Sequence, residues 1–128
     1  MRELQVPTAA HRQLVDVTVR VQEAVAALGG TDGLCHLFVP HTTAAVIVNE
    51  NADPDVGHDL LACYGAMVPR VPFRHGEGNS DAHFLATVIG GSLLLPVVSG
   101  RLRLGTWQGV FFVELDGPRS RRLWVSIV

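Results

Sequence analysis

The stretch His75-Gly76-Glu77-Gly78-Asn79-Ser80-Asp81-Ala82-His83 sets five groups able to bind a cation or a polar ligand within nine residues, and its two glycines let them turn toward one point. Imidazole nitrogens and carboxylate oxygens are the usual ligands of zinc and its first-row neighbours. A loop rich in Gly, Asn and Ser can aim such groups without a regular scaffold. The plainer alternative for each is a solvated or loop-bracing side chain. A second concentration strengthens the functional reading. His41-Thr42-Thr43 ends an apolar run, and Asn49-Glu50-Asn51-Ala52-Asp53-Pro54-Asp55 follows at the far end of the next strand-like segment.

The elements that must position these groups follow from periodicity and punctuation. Leu14 to Thr18 alternates as a strand, and Val19 to Leu28 carries Val21, Val25 and Leu28 on one helical face before Gly29-Gly30. Leu34 to Pro40 and Ala44 to Val48 read as strands joined by the His41-Thr42-Thr43 turn. Pro54 suits the first turn of a helix capped by Asp53 and running through Val56, Leu60, Leu61 and Tyr64. After an irregular piece, Val68 to Asn79, a short helix spans about Ser80 to Ile89. Four β-rich runs close the chain: Ser92 to Val98, Arg101 to Leu104, Trp107 to Leu115 and Leu123 to Val128. Ser99-Gly100 is short enough for a tight hairpin. The expected fold is α+β: a mostly antiparallel, sandwich-like sheet arrangement with two or three helices on one face.

Composition narrows the function. A chain of 128 residues is expected to form one domain, residues 1–128, with an ordinary core. Nearly half of it is apolar, which suggests that another subunit covers some apolar surface. No apolar run reaches the roughly 18 residues of a membrane span, and Met1 to Pro7 lacks the apolar core of a signal peptide, so no membrane partner and a cytoplasmic address are expected. All ten basic residues are arginine. Without lysine, neither an internal Schiff base nor a P-loop ammonium is possible. The near-neutral charge gives no nucleic-acid footprint. Arg119, Arg121 and Arg122 form the one dense basic group, read either as a solvated hairpin tip or as a clamp for a phosphate or carboxylate. Cys35, set among apolar residues, is expected to be a buried thiol.

Three ordered stretches show a resemblance. They are Phe38-Val39-Pro40-His41-Thr42-Thr43-Ala44 with Asn49 to Pro54, then His75 to His83, then Ser92 to Val97 with Gly100 to Gly109. With Asp116-Gly117-Pro118-Arg119 they cover the chain from about residue 33 to its end. On these the sequence resembles the YjbQ family, also called UPF0047 and in places labelled a secondary thiamine-phosphate synthase. The resemblance implies an α+β fold with a large antiparallel sheet, and a homotrimer whose sites lie near subunit boundaries.

Carried over from the resemblance, the polar positions are His41, Glu50, Asn51, Asp53, His75, Glu77, Asn79, Asp81, His83 and the turn Gly105-Thr106-Trp107-Gln108. His41, His75 and His83 are the expected ligands of a divalent metal, zinc first, with a fourth position open to water or substrate. Asp81 is a fourth ligand or an orienting partner, and Glu50 or Glu77 a general base toward activated water. Asn51, Asp53, Asn79, Thr106, Trp107, Gln108 and Arg119 are the expected contacts to a small-molecule substrate. Trp107 is either a packing residue or a platform for a heteroaromatic ring.

Three functions follow. One enzyme would join a pyrimidine diphosphate to a thiazole phosphate and release pyrophosphate, drawing on the arginines, Trp107 and a magnesium ion; magnesium, however, prefers oxygen ligands to three histidines. Another would be a metal-dependent hydrolase or lyase. The third is a non-catalytic trimer holding a metal or a small anion.

Overall fold

The computed structural model describes every residue from Met1 to Val128. Eight strands and three helices follow in the order β1 (Arg2–Pro7), β2 (Gln13–Asp16), α1 (Thr18–Ala27), β3 (Gly33–Phe38), β4 (Ala44–Glu50), α2 (Pro54–Met67), α3 (Ser80–Ile89), β5 (Ser92–Val98), β6 (Arg101–Leu102), β7 (Gln108–Glu114) and β8 (Ser120–Ile127). They form two sheets, β1-β8-β3-β5-β6 and β2-β7-β4. Every neighbouring pair is antiparallel.

Alternation decides which side of each strand is buried. In β3, Cys35 and Leu37 are buried while Leu34 and Phe38 stay exposed. In β8, Arg121, Leu123 and Val125 point inward. The inner faces of the two sheets meet in one core that joins Val6, Leu37, Leu95, Val97, Leu123 and Val125 to Val46, Val110 and Phe112. Helix α1 contributes Val21, Ala24 and Val25 to this same core. A second cluster lies on the other face of the smaller sheet, where Ala82 and Leu85 of α3 pack on Ala45 and Val113 with Tyr64 of α2 at its margin. Thus α2 and α3 share one face, as expected, and α1 packs on the opposite one.

Local chemistry fixes the element ends. Asp53 accepts a hydrogen bond from the Asp55 amide at 2.9 Å and caps α2, with Pro54 in the first turn. Ser99 and Gly100 take φ of 51° and 76°, the geometry of a two-residue hairpin between β5 and β6.

Beyond shifts of one or two residues at the ends of β3, β4 and β7, the structure differs from expectation at four places. Arg2 to Pro7 is an edge strand paired along β8, although only Leu4 and Val6 of it turn toward the core. Thr18 starts α1 instead of ending β2. Strand β6 stops at Leu102, because beyond it the chain keeps a single ladder-like bond, from the Arg103 amide to the Pro96 carbonyl. Finally β8 begins at Ser120 and takes Arg121 into the core, so the reading of that arginine as a solvated hairpin tip fails.

Candidate functional site

The turn that carries His41 rests on a buried ion pair. Arg121 is 4% exposed and Glu114 is fully buried. The Arg121 Nε donates to both Glu114 oxygens at 2.9 and 3.0 Å, and its Nη2 donates to Thr43 Oγ1 at 2.8 Å and to the Thr43 carbonyl at 3.1 Å. Thr8 Oγ1 donates to Glu114 at 2.6 Å, and the Leu115 amide at 3.0 Å. Burial pushes the Glu114 carboxyl up, but the hydrogen bonds from Arg121, Thr8 and the Asp116 amide, with the Arg121 charge, outweigh it and hold the group below its ordinary value. One buried guanidinium thereby ties β7, β8 and the segment before β4 together. A lone carboxylate in the apolar run Val110 to Leu115, and an arginine on the inward alternation of Leu123 and Val125, were the sequence signals for this pair.

Above it His41 is half-buried, and its Nε2 accepts a hydrogen bond from the Arg122 amide at 2.9 Å. Burial lowers its pKa, the positive charges of Arg121 and Arg122 lower it further, and the Glu114 carboxylate opposes them without prevailing. His41 and His83 line one cleft with Thr42 and Thr87, and His83 lines the adjoining one with His75 and Ser80. The rings of His75 and His83 meet edge to face, centroids 5.4 Å apart. Glu77 reaches within 3.7 Å of His75 Nε2 from an exposed position. The three imidazoles expected from the sequence are therefore neighbours in a row rather than three donors around one point. No three His, Cys, Asp or Glu side chains of the protomer gather to hold an ion. As a set within one protomer, these residues do not fit a three-histidine zinc centre.

The other expected site residues fall elsewhere. Asp81 is committed to Arg12, whose Nη2 donates to it at 2.7 Å. Glu50, Asn51 and Asp53 line a cavity of about 390 Å³ with Arg12, Asp16 and the apolar Leu14, Leu61 and Phe111, and this cavity shares no residue with the histidine clefts. Asn51 is held there by Asp16, to whose Oδ2 its side-chain Nδ2 donates at 3.3 Å, and its backbone N–H donates to the Trp107 carbonyl at 3.0 Å. Arg12, Asp16 and His58 belong to this cavity and no motif announced them. Trp107 is 63% exposed, so it packs against nothing substantial in its own protomer. Gln108 satisfies its turn, accepting from the Gly105 amide at 2.8 Å, and Thr106 sits exposed in that same turn.

Asn79 and Arg119 both donate to Asp116 Oδ2, at 3.0 and 2.9 Å. Burial raises the Asp116 carboxyl, and these two partners more than reverse it. Arg119 is thus half-exposed but already paired. The Cys35 thiol is buried as expected, and burial pushes its pKa up to about 11.

Two antiparallel sheets packed face to face, helices on the outside of the smaller one and a histidine-lined cleft over a buried arginine define an α+β small-domain protein with a polar concave site. The chain belongs to the YjbQ (UPF0047) family: the profile described as "UPF0047 protein YjbQ-like" matches residues 2–128. It is 42% identical over 125 residues to a UPF0047 protein of Methanocaldococcus jannaschii, covering 97% of this chain and 91% of that one. It is 39% identical over 130 residues to the UPF0047 protein YugU of Bacillus subtilis, covering 100% and 98%. A crystal structure of a YjbQ/UPF0047 protein from Clostridium acetobutylicum superposes with a TM-score of 0.95 at 43% identity, covering 100% of both chains. That of a conserved hypothetical protein from Thermus thermophilus superposes with a TM-score of 0.90 at 47% identity, again over 100% of both.

Proposed function

We propose that the protein is a small-molecule enzyme working at the histidine cleft, on a substrate that carries a phosphate or a similar oxyanion. The observation that carries this reading is the row His41, His83 and His75, drawn from two distant segments onto one concave surface with Thr42 beside it, while the Thr87 hydroxyl already donates to the Phe84 carbonyl at 2.7 Å. Polar groups concentrated in a cleft, one of them with a perturbed pKa, are the usual mark of a working site. A displacement of the thiamine-phosphate-synthase kind suits it, because the departing pyrophosphate must be met by hydrogen-bond donors.

A divalent ion, zinc before magnesium given the imidazole donors, belongs to the proposal only as a shared ligand. His75 and His83 would supply two donors, and a further one would come from the substrate or another copy of the chain. No step of the reaction is assigned to it. The same reading places the cleft near a contact between copies, with a homotrimer as the assembly and the cytoplasm as its compartment. For the contact between copies alone, the support is the outer face of the larger sheet, where Leu34, Phe38, Leu94 and Val98 are all at least 40% exposed.

The test is a pyrophosphate-release assay with a pyrimidine diphosphate and a thiazole phosphate, run beside metal analysis of untagged protein. His83→Ala is expected to lower the rate at least about tenfold, the loss that follows removal of one hydrogen bond to a charged group. A rate unaffected by His83→Ala would place any such activity outside the cleft. Wild-type protein that turns over neither these substrates nor other phosphorylated small molecules would leave a binding protein.

A further inference from the structure

The backbone amide of Arg122 has a proton to give and no lone pair to offer, so its hydrogen bond to His41 Nε2 at 2.9 Å runs only one way. Nε2 must be the unprotonated nitrogen, and a neutral imidazole then carries its proton on Nδ1. A doubly protonated ring would set N–H against N–H at that contact. Burial and the guanidinium groups of Arg121 and Arg122 act against the cation and outweigh the Glu114 carboxylate, which favours it. The Arg122 amide cannot readily move away, because the adjacent Arg121 is anchored to Glu114 and Thr43.

Nδ1 is not one of the buried polar atoms left without a partner, and the half-buried ring lines the cleft with Thr42 and His83. We propose that His41 is a hydrogen-bond donor of fixed tautomer, presenting Nδ1–H to an oxyanion oxygen of the substrate, phosphate or carboxylate, and is not an Nε2 ligand of a metal ion. The substrate part deepens the reading of the histidine cleft and rests on it; the tautomer stands on the Arg122 hydrogen bond alone.

Nitrogen-15 NMR of the full chain near neutral pH reads the tautomer directly, with the His41 signal assigned by its loss in His41→Ala. The expected result is an Nδ1–H imidazole, unchanged in tautomer by zinc and shifted by added inorganic phosphate. Phosphate binding should weaken at least about tenfold in His41→Ala, as for a lost bond to a charged acceptor. His41→Asn, whose side-chain N–H stands near the place of Nδ1, should retain more of that binding than His41→Gln, whose amide reaches toward Nε2. An Nε2–H or cationic ring, a zinc-induced shift of the His41 nitrogens into the range of a ligand, or a His41 signal indifferent to both phosphate and a carboxylate such as acetate would overturn the proposal. Failure of the pyrophosphate-release assay with the tautomer and the anion shift intact would remove the enzymatic reading and leave His41 as a fixed-tautomer donor in an oxyanion-binding cleft.

Discussion

At the residue scale the decisive group is the Arg121–Glu114 pair. A charge with no water around it tolerates its own burial only while its partner remains. Arg121→Ala should therefore destabilise the protein by about 3–5 kcal/mol, read as a lower midpoint in urea unfolding. The pair also sets an acid limit. The Glu114 carboxyl sits below its ordinary value of 4.5 in the folded state. Its stabilisation is thus complete above the unfolded value and is lost as the pH falls through the lowered folded one. Unfolding midpoints of wild type and Glu114→Gln should accordingly converge as the pH is taken down through that window, and a constant gap would show that the carboxylate charge contributes nothing. Gly109 raises a different constraint. A Cβ there would overlap the Asn51 amide, lying 2.7 Å from its Cγ. Gly109→Ala should displace Asn51 from Asp16 and reshape the 390 Å³ cavity while leaving the His41 tautomer untouched, a separation that the same NMR experiment would display.

At the element scale the two faces of the smaller sheet are unequal. Strand β7 buries five of its seven residues and is hydrogen-bonded on both sides, by β2 and β4. Helix α2 buries none of its fourteen residues and depends more on its cap. Amide exchange should be slow along β7 and much faster in α2, since local opening follows buried contact. Asp53→Ala should cost about 1 kcal/mol, the usual loss for an N-cap acceptor, and should speed exchange in the first turn of α2 above all. Equal protection of α2 and β7 in an assembled protein would mean that another copy covers the helix.

For the whole molecule the outstanding feature is the uncovered side of the larger sheet. Phe38 stacks on Trp124 with centroids 5.7 Å apart, and Leu94 lies opposite His36 in the ladder. No helix of the protomer lies over these residues, because α1 packs on the inner face and α2 and α3 on the far sheet. If copies meet there, Phe38→Asp together with Leu94→Arg should reduce the sedimentation mass to that of a 13.8 kDa monomer. An unchanged assembly would move the contact elsewhere. No helix of the chain is long and apolar enough to cross a membrane.

Period and punctuation were enough to place the strands of the core, the Asp53 cap and the Ser99-Gly100 hairpin, because each is a property of a few consecutive residues. The family was legible for the same reason: its motifs are local. Edge strand β1 escaped notice since two inward residues make a faint alternation, and its hydrogen bonds come from β8 at the other end of the chain. The site was half legible. One motif put His75 and His83 close together and another supplied His41, with a single ion expected among the three; the fold brings the rings into adjoining clefts without gathering them around one point, and a lone pair and a proton on the same ring look identical in sequence. Only the fold, by laying the Arg122 amide against Nε2 and Arg12 against Asp81, decided which polar atoms are already spent and which remain to meet a ligand, since a hydrogen bond between distant segments exists only once both have been brought into place.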